Sequence, residues 1–363
     1  MLSCCSRRKP SISIQGDRKE MSNLSVVMSS VFLLGATGYI GGSLLIQLRK
    51  SHPGAKITAL VRSPADLPVI CEVGAIPLEG TFSDYDKIAE CASHADMVVN
   101  AGSSDNKDMI LAVLRGLKGR KEAGRDIGIF IHVSGSSVFL DDAEGWFDPE
   151  GRVWNDSNEE DIKSIGDSVV HGPVDVAILK AGEDGYVYTY IMCPALVYGV
   201  GSGPVAKDTN FYRNLLKASV QSGVATYVGE GSNVNGSVHI SDFVLLFGLI
   251  SELSLAGPPN NSAYARYFFA TSGKFAAKPL VSQIARLFYE KGFTISPEPQ
   301  SVTFEEAKGK NYMRAGNTRM QADRSFALSW KPVQPTCFDT LETDIESVSK
   351  TISKASPLQE CKP

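Results

Sequence analysis

The sequence predicts an α/β fold: a doubly wound parallel sheet with a smaller C-terminal α+β region. Three observations carry that expectation. The run from Val26 to Leu34 is apolar and β-branched and ends on a glycine, as a buried parallel strand does. A glycine triplet follows at once and opens a helix. Strand and helix patterns then alternate as far as Ser134, the order of a parallel sheet covered on both faces. In detail, Ile40, Leu44, Leu45 and Leu48 recur at helical spacing until His52-Pro53-Gly54 stops the helix. A strand over Lys56 to Val61, a short one over Ala75 to Leu78, a helix over Asp84 to Ala92 and a strand over Met97 to Asn100 come next. A helix over Asp108 to Lys121 and a strand over Ile129 to Ser134 complete the series. The rhythm then breaks. Residues 141–160 are acidic, carry Trp146, Pro149 and Trp154, and read as a long surface loop. A helix over Ile162 to Ala181, a strand over Tyr186 to Met192 and a Gly/Pro-rich loop over 199–209 are expected beyond it. Helices near Phe211 to Ser222, Asp242 to Leu253, Pro279 to Lys291 and Cys337 to Lys354 fill the last third.

Composition excludes several classes. With 363 residues, 43% of them hydrophobic, the chain can bury a sizeable core in one large or two modest domains. A net charge of −4 leaves no basic footprint for nucleic acid. No run of about 18 apolar residues appears, so no membrane span is expected. Cys4, Cys5, Cys71, Cys91, Cys193, Cys337 and Cys361 include no CxxC pair and are odd in number, which fits reduced thiols in a cytoplasmic protein. Cys4 and Cys5 beside Arg7, Arg8 and Lys9 read as a disordered tail, with lipidation or a transit segment as the alternatives. The histidines lack the i, i+4 spacing of a helical metal site, and no nucleophile elbow is present, so no metal and no serine hydrolase is expected.

The turn Gly35-Ala-Thr-Gly38-Tyr-Ile-Gly41 carries the clearest chemistry. Gly35 permits the sharp exit from the strand. Gly38 admits a pyrophosphate against the backbone, and Gly41 lets the helix pack on the sheet. The N–H groups of the helix N-terminus then face the phosphates. A glycine triplet between strand and helix is a dinucleotide signature. The second strand ends at Val61-Arg62, where an acid would bind the adenosine ribose of NAD. A guanidinium there suits the 2′-phosphate of NADP, so NADP is expected with NAD as the alternative.

Five stretches in order, GATGYIGG from Gly35, ADMVVNAG from Ala95, HVSGSSVF from His132, MCPALVYGVGSGP from Met192 and VHISD from Val238, resemble the extended short-chain dehydrogenases/reductases, the NAD-dependent epimerase/dehydratase group. NTRMQADRSFALSWKP from Asn317 is similar to the group's substrate-side segment. The resemblance implies a Rossmann domain over 25–205, to which 235–275 returns, a mainly C-terminal substrate-binding region over 206–355, a disordered extension over 1–24 and a tail over 356–363. It also implies cofactor contacts. Gly35, Thr37, Gly38, Tyr39, Ile40 and Gly41 line the pyrophosphate. Ala101 and Gly102 border the adenine-side ribose, Ser134 lies near the nicotinamide, and Pro194, Ala195 and Val197 pack around its amide. The partners expected are a small-molecule substrate and a second copy in a homodimer.

The group's acid/base pair is a tyrosine with a lysine four residues later. None of the twelve tyrosines here has that lysine. Counting back from MCPAL puts His171 near the lysine position and Asp167 near the tyrosine position. The usual serine position falls on Gly135, with Ser136 beside it. Three readings of His171 stand open: a ribose contact in place of lysine, an acid/base on the substrate, or a residue that ends a helix before Gly172-Pro173. Ser136 is a candidate to bind a substrate oxygen, against a plain turn serine. Tyr198 is a candidate for the missing phenol, against packing beneath its loop. Lys180 reads as solvated, His239 as structural and Asp242 as the cap of the helix that follows. The function expected is hydride transfer by an NADP-dependent oxidoreductase. The alternatives are a non-redox epimerase or isomerase that keeps its dinucleotide, and a non-catalytic redox sensor.

Overall fold

A computed structural model describes residues 28–307 and 315–352. The expected extension over 1–24 and tail over 356–363 lie outside the described residues, as do Val26 and Val27. The first half runs β1 (Ser30–Leu34), α1 (Tyr39–Ser51), β2 (Lys56–Val61), α2 (Leu67–Glu72), β3 (Ile76–Glu79), α3 (Tyr85–His94), β4 (Met97–Asn100), α4 (Lys107–Glu122) and β5 (Gly128–Val133). It continues through β6 (Trp154–Asn155), α5 (Glu159–Lys163), α6 (Gly172–Glu183), β7 (Val187–Pro194), β8 (Leu196–Tyr198), α7 (Asn210–Ser222), β9 (Thr226–Val228) and β10 (Val234–His239). The last part is α8 (Ile240–Leu255), β11 (Tyr267–Ala270), β12 (Gly273–Ala276), α9 (Ala277–Glu290), β13 (Gln300–Val302), α10 (Phe304–Ala307), β14 (Met320–Gln321), α11 (Asp323–Ala327) and α12 (Leu341–Ser349).

Seven parallel strands form the central sheet in the order β3-β2-β1-β4-β5-β7-β11. β1, β4 and β5 are buried along almost their whole length, which is why they read as unbroken apolar runs rather than alternating ones. The chain winds outward from β1 in one direction and then from β4 in the other. The order therefore reverses between β1 and β4, and a crevice opens there at the strand C-termini. Register places Leu34 beside Asn100 and Asn100 beside His132, so two polar residues sit next to each other at the crevice floor. A second apolar cluster, including Tyr212, Leu216, Ile284, Phe288 and Ile345, joins α7, α9 and α12. No described helix is long and apolar enough to cross a membrane.

Several expectations are corrected. The helix over Ile162 to Ala181 is two helices, α5 and α6, separated by non-helical residues 164–171. Pro173 has no N–H to offer Val169, and its ring would strike that carbonyl in a continuous helix, so α6 begins one residue before it. Residues 141–160 are not simply a surface loop. They contain β6 and the start of α5, and Asp156 within them is buried. Asn317 pins their beginning through Nδ2 to both carboxylate oxygens of Asp141 and to the carbonyl of Trp146. His239, not Asp242, caps α8: its Nδ1 accepts from the Ser241 N–H. The Asp242 carboxylate instead accepts from the N–H groups of Val333 and Gln334, tying down the C-terminal segment. The last helix covers only Leu341–Ser349, and α2 was not anticipated.

Candidate active site

The glycine turn has the geometry its spacing demands. Gly35 takes φ +91°, and a Cβ there would stand 2.6 Å from the Ala101 backbone. A Cβ on Gly41 would stand 2.1 Å from the Gly35 carbonyl oxygen. The turn, the first turn of α1 and the end of β4 are thus packed backbone against backbone. α1 begins at Gly38 with no side-chain cap, as α2, α3, α6, α9, α11 and α12 also do. The first N–H groups of a helix lack partners within the helix and can bind an anion. A cradle that a Cβ would fill, below an uncapped helix, fits a dinucleotide pyrophosphate. Residues 199–206 cross beside it. The Tyr39 hydroxyl donates to the Gly199 carbonyl at 2.7 Å, Ser202 N–H to Ser43 Oγ at 3.2 Å, and Ala206 N–H to the Thr37 carbonyl at 3.3 Å. Thr37 and Ile40 are partly open, while Tyr39 is buried and so shapes the turn from below.

Arg62 stands exposed just beyond β2, and among the described residues no acid pairs with it. Ala101 and Gly102 follow β4. A Cβ on Gly102 would lie 2.5 Å from the Phe82 ring, so a small residue is required where the chain leaves the crevice. Ser134 is buried directly after β5 and Ser136 in the helical turn that follows; Pro194 closes β7, Ala195 follows it and Val197 lies within β8, all three buried.

His171 lies on the far side of the crevice. It precedes α6 with φ +66°, a left-handed conformation that is uncommon for residues with a side chain and that gathers at functional sites. Its Nδ1 is 2.6 Å from Asp105 Oδ1. An Nδ1–H donated to that carboxylate makes Nε2 the basic nitrogen. Nε2 is turned to Gly135: a Cβ added there would lie only 2.9 Å from it. The two departures from the group's pattern are therefore one. The imidazole occupies the space that a serine side chain would need, and glycine makes room for it. Tyr198 is not part of this cluster. Its hydroxyl donates to the Pro335 carbonyl at 2.7 Å, and its ring packs edge-on against His239.

Sequence reasoning missed Asp105 and the buried polar groups beneath the site. Asp175, fully buried on α6, accepts from Ser134 Oγ at 2.7 Å and from the Tyr267 hydroxyl at 2.8 Å. His132 Nε2 lies 3.6 Å from its other oxygen. A polar residue inside an apolar strand, as in Val98-Val99-Asn100 and Ile131-His132-Val133, was the available signal. Burial pushes Asp175 up to about 7, against the pull of its two hydroxyl donors. Burial, with the nearby charge of His171, pushes His132 down to about 3. The folded state therefore holds the Asp175 proton more firmly than the unfolded chain does. Its contribution to stability is full below about pH 4 and is lost as pH rises through about 7. Thermal unfolding of the wild type should lose up to about 3–4 kcal/mol relative to Asp175→Asn between roughly pH 4 and pH 8. Parallel pH profiles for the two proteins would exclude this assignment.

Residues 35–165 match the NAD(P)H-binding family. The chain is 25% identical over 345 residues to oxidase ucsJ of Acremonium sp., covering 89% of this chain and 98% of that protein. Among solved structures, dTDP-glucose 4,6-dehydratase of Bacillus anthracis in complex with NAD superposes with a TM-score of 0.62 at 14% identity, over 89% of this chain and 97% of that one. UDP-glucuronic acid 4-epimerase of Bacillus cereus, in complex with UDP-glucuronic acid and NAD, gives 0.58 at 14% identity, over 89% and 100%. Residues 35–165 thus match the NAD(P)H-binding family, and the chain shares the fold of these two solved enzymes.

Proposed function

We propose that this chain is an NADP-dependent oxidoreductase acting on a small organic molecule, with the Asp105–His171 dyad as its acid/base and Ser136 as a partner of the substrate oxygen. The observation that carries the reading is the replacement at Gly135, where an imidazole nitrogen takes up the space of the usual serine side chain. A bound nicotinamide supplies the hydride chemistry. The protein's own groups do the rest. Asp105 orients the ring and stabilises its protonated form, and Nε2 holds or moves the proton at the substrate oxygen. The uncapped start of α1 and the glycine turn bind the pyrophosphate, and Arg62 receives the 2′-phosphate. Similarity to a protein named an oxidase supports the redox class.

Stopped-flow NADPH oxidation across a panel of carbonyl substrates tests the reading. Turnover of at least one is expected. Tight NADPH binding with silence across the panel counts against it. Arg62→Ala should lower the preference for NADP over NAD about tenfold or more, read from the two dissociation constants, through loss of a charge-assisted phosphate contact. Equal preference before and after would remove Arg62 from the site. A second reading is a non-redox epimerase or isomerase, favoured by the absence of the tyrosine–lysine pair. It predicts product formation with no net change in cofactor absorbance.

A further inference from the structure

The Asp105–His171 pair joins an exposed carboxylate to a buried ring. The Asp105 side chain is 66% exposed and that of His171 only 9%. An exposed ion pair is ordinarily weak, because the entropy lost in holding a mobile side chain offsets the attraction. A contact of 2.6 Å therefore needs both backbones fixed beforehand. On the ring side α6 does this: the His171 carbonyl accepts from the N–H groups of Val174 and Asp175, both at 3.1 Å. Asp105 has no such helix. It lies in residues 101–106, between the end of β4 and the start of α4.

Ser103 fixes it instead. Its Oγ accepts from the Asp105 N–H at 3.2 Å and from the Asn106 N–H at 3.1 Å. A serine hydroxyl that takes the N–H groups two and three residues on closes the backbone into a turn. The Asp105 carbonyl accepts from the Lys107 N–H at 3.1 Å, so the residue is tied on both sides. The turn is itself moored to the sheet. Asn100, fully buried at the end of β4, accepts at Oδ1 from the Gly102 N–H at 3.0 Å and donates through Nδ2 to the Ser103 carbonyl at 2.8 Å. Without the Ser103 hydroxyl, the Asp105 and Asn106 N–H groups turn to water and the carboxylate loses its fixed direction. Resting on the acid/base reading above, we infer that Ser103, moored by Asn100, is a positioning residue for the dyad. Its hydroxyl sets the backbone of Asp105 so that the carboxylate meets His171 Nδ1, and it acts on the ring only through that carboxylate.

NMR titration of the His171 ring, in the full-length protein without ligand, tests this. The signal is identified by its loss in His171→Ala. A neighbouring carboxylate favours the protonated imidazole, so a weaker contact lowers the midpoint. Asp105→Asn should lower it by about 0.5–1 pH unit, a modest change because the carboxylate is exposed. Ser103→Ala should lower it by at least about half as much. Ser103→Thr keeps the hydroxyl and should titrate with the wild type. The double variant of Ser103→Ala and Asp105→Asn should titrate like Asp105→Asn alone, since both changes act through one contact. His132 on β5 and Asp175 on α6, the buried titratable groups beside the pair, are the same in every variant. A shift in Asp105→Asn with none in Ser103→Ala overturns the inference and leaves the dyad standing. A shift in Ser103→Thr equal to that in Ser103→Ala, or a further shift in the double variant, overturns it as well. No shift in Asp105→Asn removes the dyad itself, and the inference with it.

Discussion

Gly41→Ala should weaken dinucleotide binding at least about a hundredfold, roughly 2.7 kcal/mol. The added methyl would lie 2.1 Å from the Gly35 carbonyl oxygen and 2.7 Å from its carbon. Those atoms are backbone and cannot swing aside. Gly35 is itself held at φ +91° against Ala101. Relief must come from lifting the N-terminus of α1 away from the turn, which separates the donors that converge on the pyrophosphate. Overpacking of this kind also costs about 1–3 kcal/mol of stability, so affinity is to be measured well below the unfolding temperature. Gly54→Ala is the control, since nothing lies within 4 Å of its added methyl. Affinity within threefold of wild type for Gly41→Ala would mean that the pyrophosphate binds elsewhere.

The second large effect is expected at the dyad. His171→Ala should lower kcat about 10²- to 10⁴-fold, the usual range for removing a positioned acid/base, with a much smaller change in NADPH affinity. Asp105→Asn should cost less. Its carboxylate is two-thirds exposed, and water takes over part of its role. Gly135→Ser restores the residue type typical of the group, yet its Cβ would stand 2.9 Å from His171 Nε2 and push the ring away. It should therefore fall to within about tenfold of His171→Ala, on the same acid/base argument. Full activity in Gly135→Ser, or in His171→Ala, would dismiss the imidazole as the acid/base.

The helix break before Pro173 is legible in the sequence. A proline eleven residues into an expected helix is incompatible with the carbonyl four residues earlier, whatever the apolar spacing suggests. The misplaced cap at Asp242 has a different cause. An acid near a helix start satisfies the local rule, but here the groups that need it are the N–H groups of residues 333 and 334, 91 and 92 residues away.

Along the chain, the sequence by itself determined the parallel sheet, the glycine turn and the position of Arg62. Each depends on neighbours within a few residues, where strand burial, a positive φ or a helix start leaves a local pattern. The tertiary structure alone decided the chemistry of the crevice. Asp105 meets His171 across 66 residues, Ser134 meets Asp175 across 41, and Tyr267 meets Asp175 across 92. These contacts form only because parallel strands bring their C-terminal ends to one edge, and no local periodicity encodes which side chains that edge collects.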